Sequence, residues 1–145
     1  MSTYPLRLIL VEDDDVDAEA IIRGLRSVKF PLQLTVFRTA SETLEELLRP
    51  QSTQQIYRTM VLLDLGLPGM SGLDFLRLVR LDAQLSALAV VVVSDSDNDT
   101  DKAAVHALSI AGYLRKSSLG PKCENLVHLV ETLMQGETVP MFPPA

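Results

Sequence analysis

The residues from Leu88 to Val93 read LAVVVV, apolar at every position. A strand with one face in water alternates apolar and polar side chains, whereas one that is apolar throughout has both faces covered. A parallel sheet between two layers of helix provides that cover. The rest of the chain fits, because apolar strand-like runs alternate with segments of helical period. Leu6 to Val11 is expected as a first strand, followed by a helix from about Val16 to Val28 with Ile21, Ile22, Leu25 and Val28 on one face. Leu32 to Phe37 alternates, as a less buried second strand would, and Ser41 is expected to cap a helix bearing Leu44, Leu47 and Leu48. Residues 51–58 read as an exposed loop, and Met60 to Asp64 as a third strand.

The stretch GLPGMSG, residues 66–72, is turn chemistry, and the period of Leu73, Leu76 and Val79 predicts a helix over 72–81. Ala103, Ala104, Ala107 and Leu108 form a helix face of small residues, and Gly112 to Arg115 is a short fifth strand. Pro121 is expected to open a last helix whose core side carries Leu126, Leu129, Val130 and Leu133. The count is five strands and five helices in one domain, residues 6–135. The tail 136–145 holds three prolines, which exclude a helix; it is expected to be disordered, or an arm that docks Met141 and Phe142.

Composition narrows the function. A net charge of -6 repels a phosphate backbone, so no nucleic-acid partner is expected. The longest apolar run is far shorter than the roughly 20 residues that span a bilayer, and no leader pattern opens the chain. No membrane partner is expected, and the one cysteine, Cys123, suits a reducing cytoplasm and a packing role.

In an open parallel sheet, right-handed crossovers bring the carboxyl ends of the strands to one edge, where ligands bind. The first strand ends in Glu12, Asp13 and Asp14, the third in Asp64, the fourth in Ser94 and the fifth in Lys116. Carboxylates this close repel by about a few kcal/mol per pair at an effective dielectric of about 20, so positive charge must sit among them. Lys116 supplies one charge, and a hard cation such as Mg2+ suits an oxygen-only donor set. Any one of these acids alone is most simply a solvated loop residue. Complementary groups at four strand ends are what argue for a site.

Four stretches, LVEDD (10–14), LLDLGLPGMSG (62–72), VVVSD (91–95) and GYLRK (112–116), together resemble the receiver domain of two-component response regulators. The resemblance covers residues 6 to about 135, and the intervals of 30 residues from Asp64 to Ser94 and 22 from Ser94 to Lys116 agree with it. It implies a flavodoxin-like, doubly wound (βα)5 fold: a five-stranded parallel sheet in the order 2-1-3-4-5 with helices on both faces. It further implies that Asp64 accepts a phosphoryl group from a phosphohistidine of a histidine kinase or histidine phosphotransfer protein. Mg2+ would be held by Asp13, Asp64 and the Gly66 carbonyl, with Glu12 acting through water. Lys116 and Ser94 would contact the phosphoryl oxygens, and Ser94 and Tyr113 would form the switch. The signal would leave through the face of the fourth helix, fifth strand and fifth helix. The tail and the 51–58 segment resemble receivers paired with phytochrome-type kinases, and a homodimer is compatible with either the face or an exchanged tail.

Three departures from the family pattern stand out. Gly66 and Ser96, two residues after the aspartate and after the hydroxyl, are both small, which leaves room for an attacking water and is expected to affect the acyl-phosphate lifetime. Two more lie beside Lys116 and Ser94. Ser117 follows Lys116 where the family has proline, so either the Lys116–Ser117 peptide is cis without proline or the loop takes another path. Asp95 follows Ser94 where the family has a small residue, and is expected to bring a carboxylate near the phosphoryl group. Other readings explain less. An aspartate-nucleophile phosphatase wants an acid where Gly66 stands, a flavin module wants a Ser/Thr/Gly-rich loop where EDDD stands, and a receiver that works without phosphorylation would not need every functional group. The chain is therefore expected to be a signalling module and not an enzyme. His106 and His128 read as surface or packing residues within helices. The repeat SDSDNDTDK (94–102) lacks the glycine and glutamate of a calcium loop; it reads as a helix entry capped by Asp97 or Asp99.

Overall fold

The computed structural model describes residues 5–135. Its elements are β1 (Leu6–Val11), α1 (Asp15–Leu25), β2 (Leu32–Phe37), α2 (Ala40–Leu47), α3 (Thr53–Tyr57), β3 (Thr59–Leu63), α4 (Gly72–Leu81), β4 (Ala89–Val93), α5 (Asp99–His106), β5 (Gly112–Leu114), a 3-10 turn (Lys116–Ser118) and α6 (Glu124–Gln135). The strands form one parallel sheet in the order β2-β1-β3-β4-β5. Side chains alternate across it. Ile9, Val11, Val61, Leu63, Val90 and Val92 face Leu47, Ile56, Leu76, Val79 and Val105 of α2 to α5. Leu8, Leu10, Met60, Leu62, Val91 and Val93 face Ile21, Leu25, Leu126 and Val130 of α1 and α6. Both β3 and β4 are buried along their whole length, as an all-apolar run requires. At the edge, β2 alternates between half-buried and exposed from Leu32 to Thr35, as its sequence predicts, but Val36 is exposed and Phe37 half-buried.

Residues 51–58 are not a loop. Ser52 accepts from the Gln55 amide and the Gln55 side chain accepts from the Ser52 amide, a capping box that starts α3, and Ile56 anchors the helix in the core. Five residues are too few to show a helical period. Thr39, not Ser41, caps α2, which leaves Ala40 fully buried at its start. Asn98, not Asp97 or Asp99, caps α5 through the Asp101 amide, and Asp97 instead pairs with Arg115 at 2.8 Å. The small-residue face is also different: Val105 is the buried residue of α5, with Ala104 and Leu108 beside it, while Ala103 and Ala107 are exposed. The last helix opens at Glu124 and not at Pro121, because Cys123 sits at φ 55, outside the helical region. Cys123 is buried, against Gly24 of α1, in the packing role expected of it. The tail 136–145 lies outside the described residues.

At the end of α4, Arg80 turns its guanidinium inward and donates to the carbonyls of Ser86, Leu88, Leu108 and Ser109 at 3.1, 2.8, 2.7 and 3.3 Å. Burial holds its pKa below the usual arginine value. This one side chain ties the start of β4 to the turn before β5. No helix among the described residues is long and apolar enough to cross a membrane.

Candidate functional site

The ladder runs one residue past the last strand position at three places. The Glu12 amide donates to the Phe37 carbonyl at 3.0 Å, Asp64 to Val11 at 3.2 Å and Ser94 to Leu114 at 3.0 Å. These bonds fix the backbones of the three polar residues while their side chains leave the carboxyl edge of the sheet. All three are buried: Glu12 is 2%, Asp64 8% and Ser94 2% exposed. Rigid backbone under a buried acid is costly unless its charge is matched, and here Lys116 provides the match.

The Lys116 ammonium lies 2.7 Å from Glu12 Oε1, 2.9 Å from Asp17 Oδ2 and 3.1 Å from Asp64 Oδ2. Burial alone would lower its pKa, but hydrogen bonds to the three carboxylates outweigh this and hold it above the usual lysine range. Glu12 is also shifted upward, but there burial is the dominant cause. Burial lifts its carboxyl to about 7 and the Asp64 charge adds to this, against the hydrogen bonds from Lys116 and the Asp14 amide. The two oxygens of Asp64 are held differently: Oδ1 accepts from the Gly66 amide at 3.1 Å and Oδ2 from Lys116.

Glu12, Asp13 and Asp64 each present an oxygen within 4.8 Å of the others. Three hard oxygen donors, two of them buried, suit a divalent metal such as Mg2+. The Asp13 carbonyl is held by Arg38 from the end of β2, which also pairs with Asp15. The loop that carries the donors is thus fastened at its outer side.

Ser94 lies at the end of β4 with its hydroxyl accepting from the Ser96 amide at 3.3 Å. Asp95 is held by the loop after Lys116. Its Oδ1 accepts from the Ser117 amide at 3.1 Å and the Ser117 hydroxyl at 3.2 Å, so two of the positions that depart from the family pattern bind each other. No described peptide bond is cis. The chain after Lys116 enters the 3-10 turn instead, with the amide that proline would lack engaged by Asp95. Tyr113 is half-buried and stacks on His106, with centroids 5.6 Å apart and planes 20° from parallel. Its hydroxyl is buried without a hydrogen-bond partner among the described residues. Burial, reinforced by the nearby carboxylates, raises its pKa.

Sequence reasoning missed Asp17 and Arg38. Asp17 sits one helical turn beyond Asp13 in an acidic run, a signal in principle, but its partner lies 99 residues away.

The receiver-domain family model of response regulators matches residues 8–130. The probable methanogenesis regulatory protein FilR2 of Methanothrix harundinacea is 30% identical over 112 residues, covering 77% of this chain and 72% of that protein. Response regulator Rcp1 of Synechocystis is 28% identical over 117 residues, 80% of each chain. The Mn2+-bound structure of Rcp1 has a TM-score of 0.75 at 26% identity and covers 97% of this chain and 100% of that one. The phosphorylated cyanobacterial phytochrome response regulator RcpA has a TM-score of 0.77 at 26% identity, with 92% and 96% covered. A match across most of the chain, on a fold that gathers Glu12, Asp13, Asp64 and Lys116 at one sheet edge, means that the protein belongs to the response-regulator receiver family.

Proposed function

We propose that this protein is a phosphorylation-controlled interaction module whose acceptor is Asp64. The observation that carries the reading is a buried carboxylate that faces an ammonium at 3.1 Å and shares a metal-suited cluster with Glu12 and Asp13. An oxygen of Asp64 forms the new O–P bond as the P–N bond of a phosphohistidine breaks, and the leaving imidazole keeps the electron pair and takes up a proton. Asp13, Asp64 and the Gly66 carbonyl are the proposed metal ligands, with Glu12 acting through water. Bound Mg2+ supplies neutralisation of the charge on the transferring group. Lys116 and Ser94 hold phosphoryl oxygens. Movement of Ser94 toward the new dianion is then passed to Tyr113, whose buried hydroxyl has little to lose by a change of rotamer.

The donor is a histidine kinase or phosphotransfer protein, and the phytochrome-named relative supports a kinase of that type. The module transfers no group onward as a turnover enzyme would. Incubation with an autophosphorylated phytochrome-type histidine kinase and Mg2+ tests this: label should move to the wild-type protein and not to Asp64→Asn. Transfer to both proteins would place the acceptor elsewhere.

A further inference from the structure

The ammonium of Lys116 has three hydrogens, and three carboxylates take them. Two of these belong to the cluster itself: the Glu12 side chain is 1% and the Asp64 side chain 9% exposed. The third, Asp17, is 41% exposed and lies outside the metal-suited group. It is built in by the start of α1. Asp14 accepts from the Asp17 amide at 2.9 Å, which fixes the first turn of the helix and presents Asp17 toward Lys116.

On the reading that Asp64 is phosphorylated, Lys116 must turn at least one hydrogen to the phosphoryl group. The hydrogen now on Asp64 Oδ2 can pass to the phosphoryl group and Glu12 stays within the buried cluster, so Asp17, the exposed partner outside that cluster, is the contact that opposes a shift of the ammonium toward the phosphate. A contact present before transfer and weakened after it stabilises the starting state alone, and such a contact slows a reaction. Its negative charge near an incoming phosphate acts in the same direction. We propose that Asp17 is a positioning residue that tethers Lys116 in the unphosphorylated protein and restrains phosphorylation of Asp64. Neither the family's sequence motifs nor the proposed chemistry requires an acid there.

The test compares labelling of wild type, Asp17→Asn, Asp17→Glu and Glu19→Gln by acetyl phosphate with Mg2+, followed by intact mass. Asp17→Asn should label faster by roughly three- to fivefold, the scale of a part-exposed ion pair. Asp17→Glu restores the tether and should return the rate toward wild type. Glu19→Gln removes the same charge from the same helix but touches Arg23 and not Lys116, so its rate should equal wild type. The urea midpoints of all four should agree closely enough to exclude a folding effect. Wild type labelling on Asp64 with Asp17→Asn equal to it or slower would overturn the tether and leave the phosphoacceptor reading intact. An equal gain in Glu19→Gln would show general electrostatics and also overturn the tether. Absence of label on all four would overturn both.

Discussion

Gly72 is the point where the helix after the acceptor meets the acceptor's own backbone, and Gly72→Ala should damage both stability and labelling. A Cβ there would lie 2.5 Å from the Asp64 carbonyl oxygen and 2.8 Å from Leu65 Cα. Both neighbours are backbone atoms, so no rotamer change relieves the contact, and ordinary separation requires a shift of about 0.9 Å. The sheet does not give way, because Asp64 is bonded to Val11 and β3 is buried throughout. The shift falls on α4, whose Phe75, Leu76 and Val79 are wholly buried and whose Gly72 amide bonds to Leu65. Overpacking costs about 1–3 kcal/mol, and the helix preference of Ala over Gly returns up to about 1 kcal/mol, so the net loss is about 1 kcal/mol. With a urea m-value of about 2 kcal/mol/M, the midpoint followed by far-UV circular dichroism should fall by about 0.5 M. Displacement of the Asp64 backbone should also slow labelling by acetyl phosphate. Gly69→Ala is the control: Gly69 has φ 72 but nothing within 4 Å of its Cβ, so only backbone strain is added and labelling is spared. An unchanged midpoint and labelling rate in Gly72→Ala would refute this account of the α4 contact.

Three further outcomes follow from the same geometry. Gly66 leaves room beside the acceptor, since a Cβ there would stand 3.9 Å from Asp64 Oδ1 without clash; Gly66→Leu should lengthen the acyl-phosphate lifetime, timed by phosphate release. Arg80→Ala strips four carbonyls of their donor and should cost about 3 kcal/mol in urea unfolding, with Asp64 labelling retained by the folded fraction. Glu12 has a folded pKa raised from 4.5 to about 7, so the folded state binds the extra proton; in metal-free protein its contribution to stability is full below pH 4.5 and is lost as pH rises through about 7. Glu12→Gln should flatten that part of the stability profile, and an unchanged slope would show that Glu12 is not the group responsible.

The parts of this protein that read directly from sequence are those set by local pattern. An all-apolar run such as Val90 to Val93 has only one comfortable place, the middle of the sheet, and the residue after each strand is then carried to the carboxyl edge by topology. Glu12, Asp64 and Ser94 are legible for that reason, and Lys116 stands two residues past β5 at the same edge. The parts that were not legible depend on partners distant in sequence or on very short elements. Asp95 reads as a carboxylate placed near the phosphoryl group until Ser117 is seen to bind it across 22 residues, and Asp17, which no motif marks, stands out only once Lys116 reaches it. The helix α3 is signalled only by the Ser52 and Gln55 pair, because five residues do not establish a period. The switch between Thr39 and Ser41, or between Asn98 and its aspartate neighbours, turns on one-residue differences that several adjacent capping side chains can satisfy.

The central claim is that one buried carboxylate, Asp64, is the acceptor. Its most direct test is intact-mass and peptide analysis after incubation with acetyl phosphate, with and without Mg2+. Wild type should gain a single phosphoryl group, located on Asp64 and dependent on Mg2+, and Asp64→Asn should gain none. A wild-type protein that takes up no phosphoryl group, or one that carries it on another residue, would contradict the account.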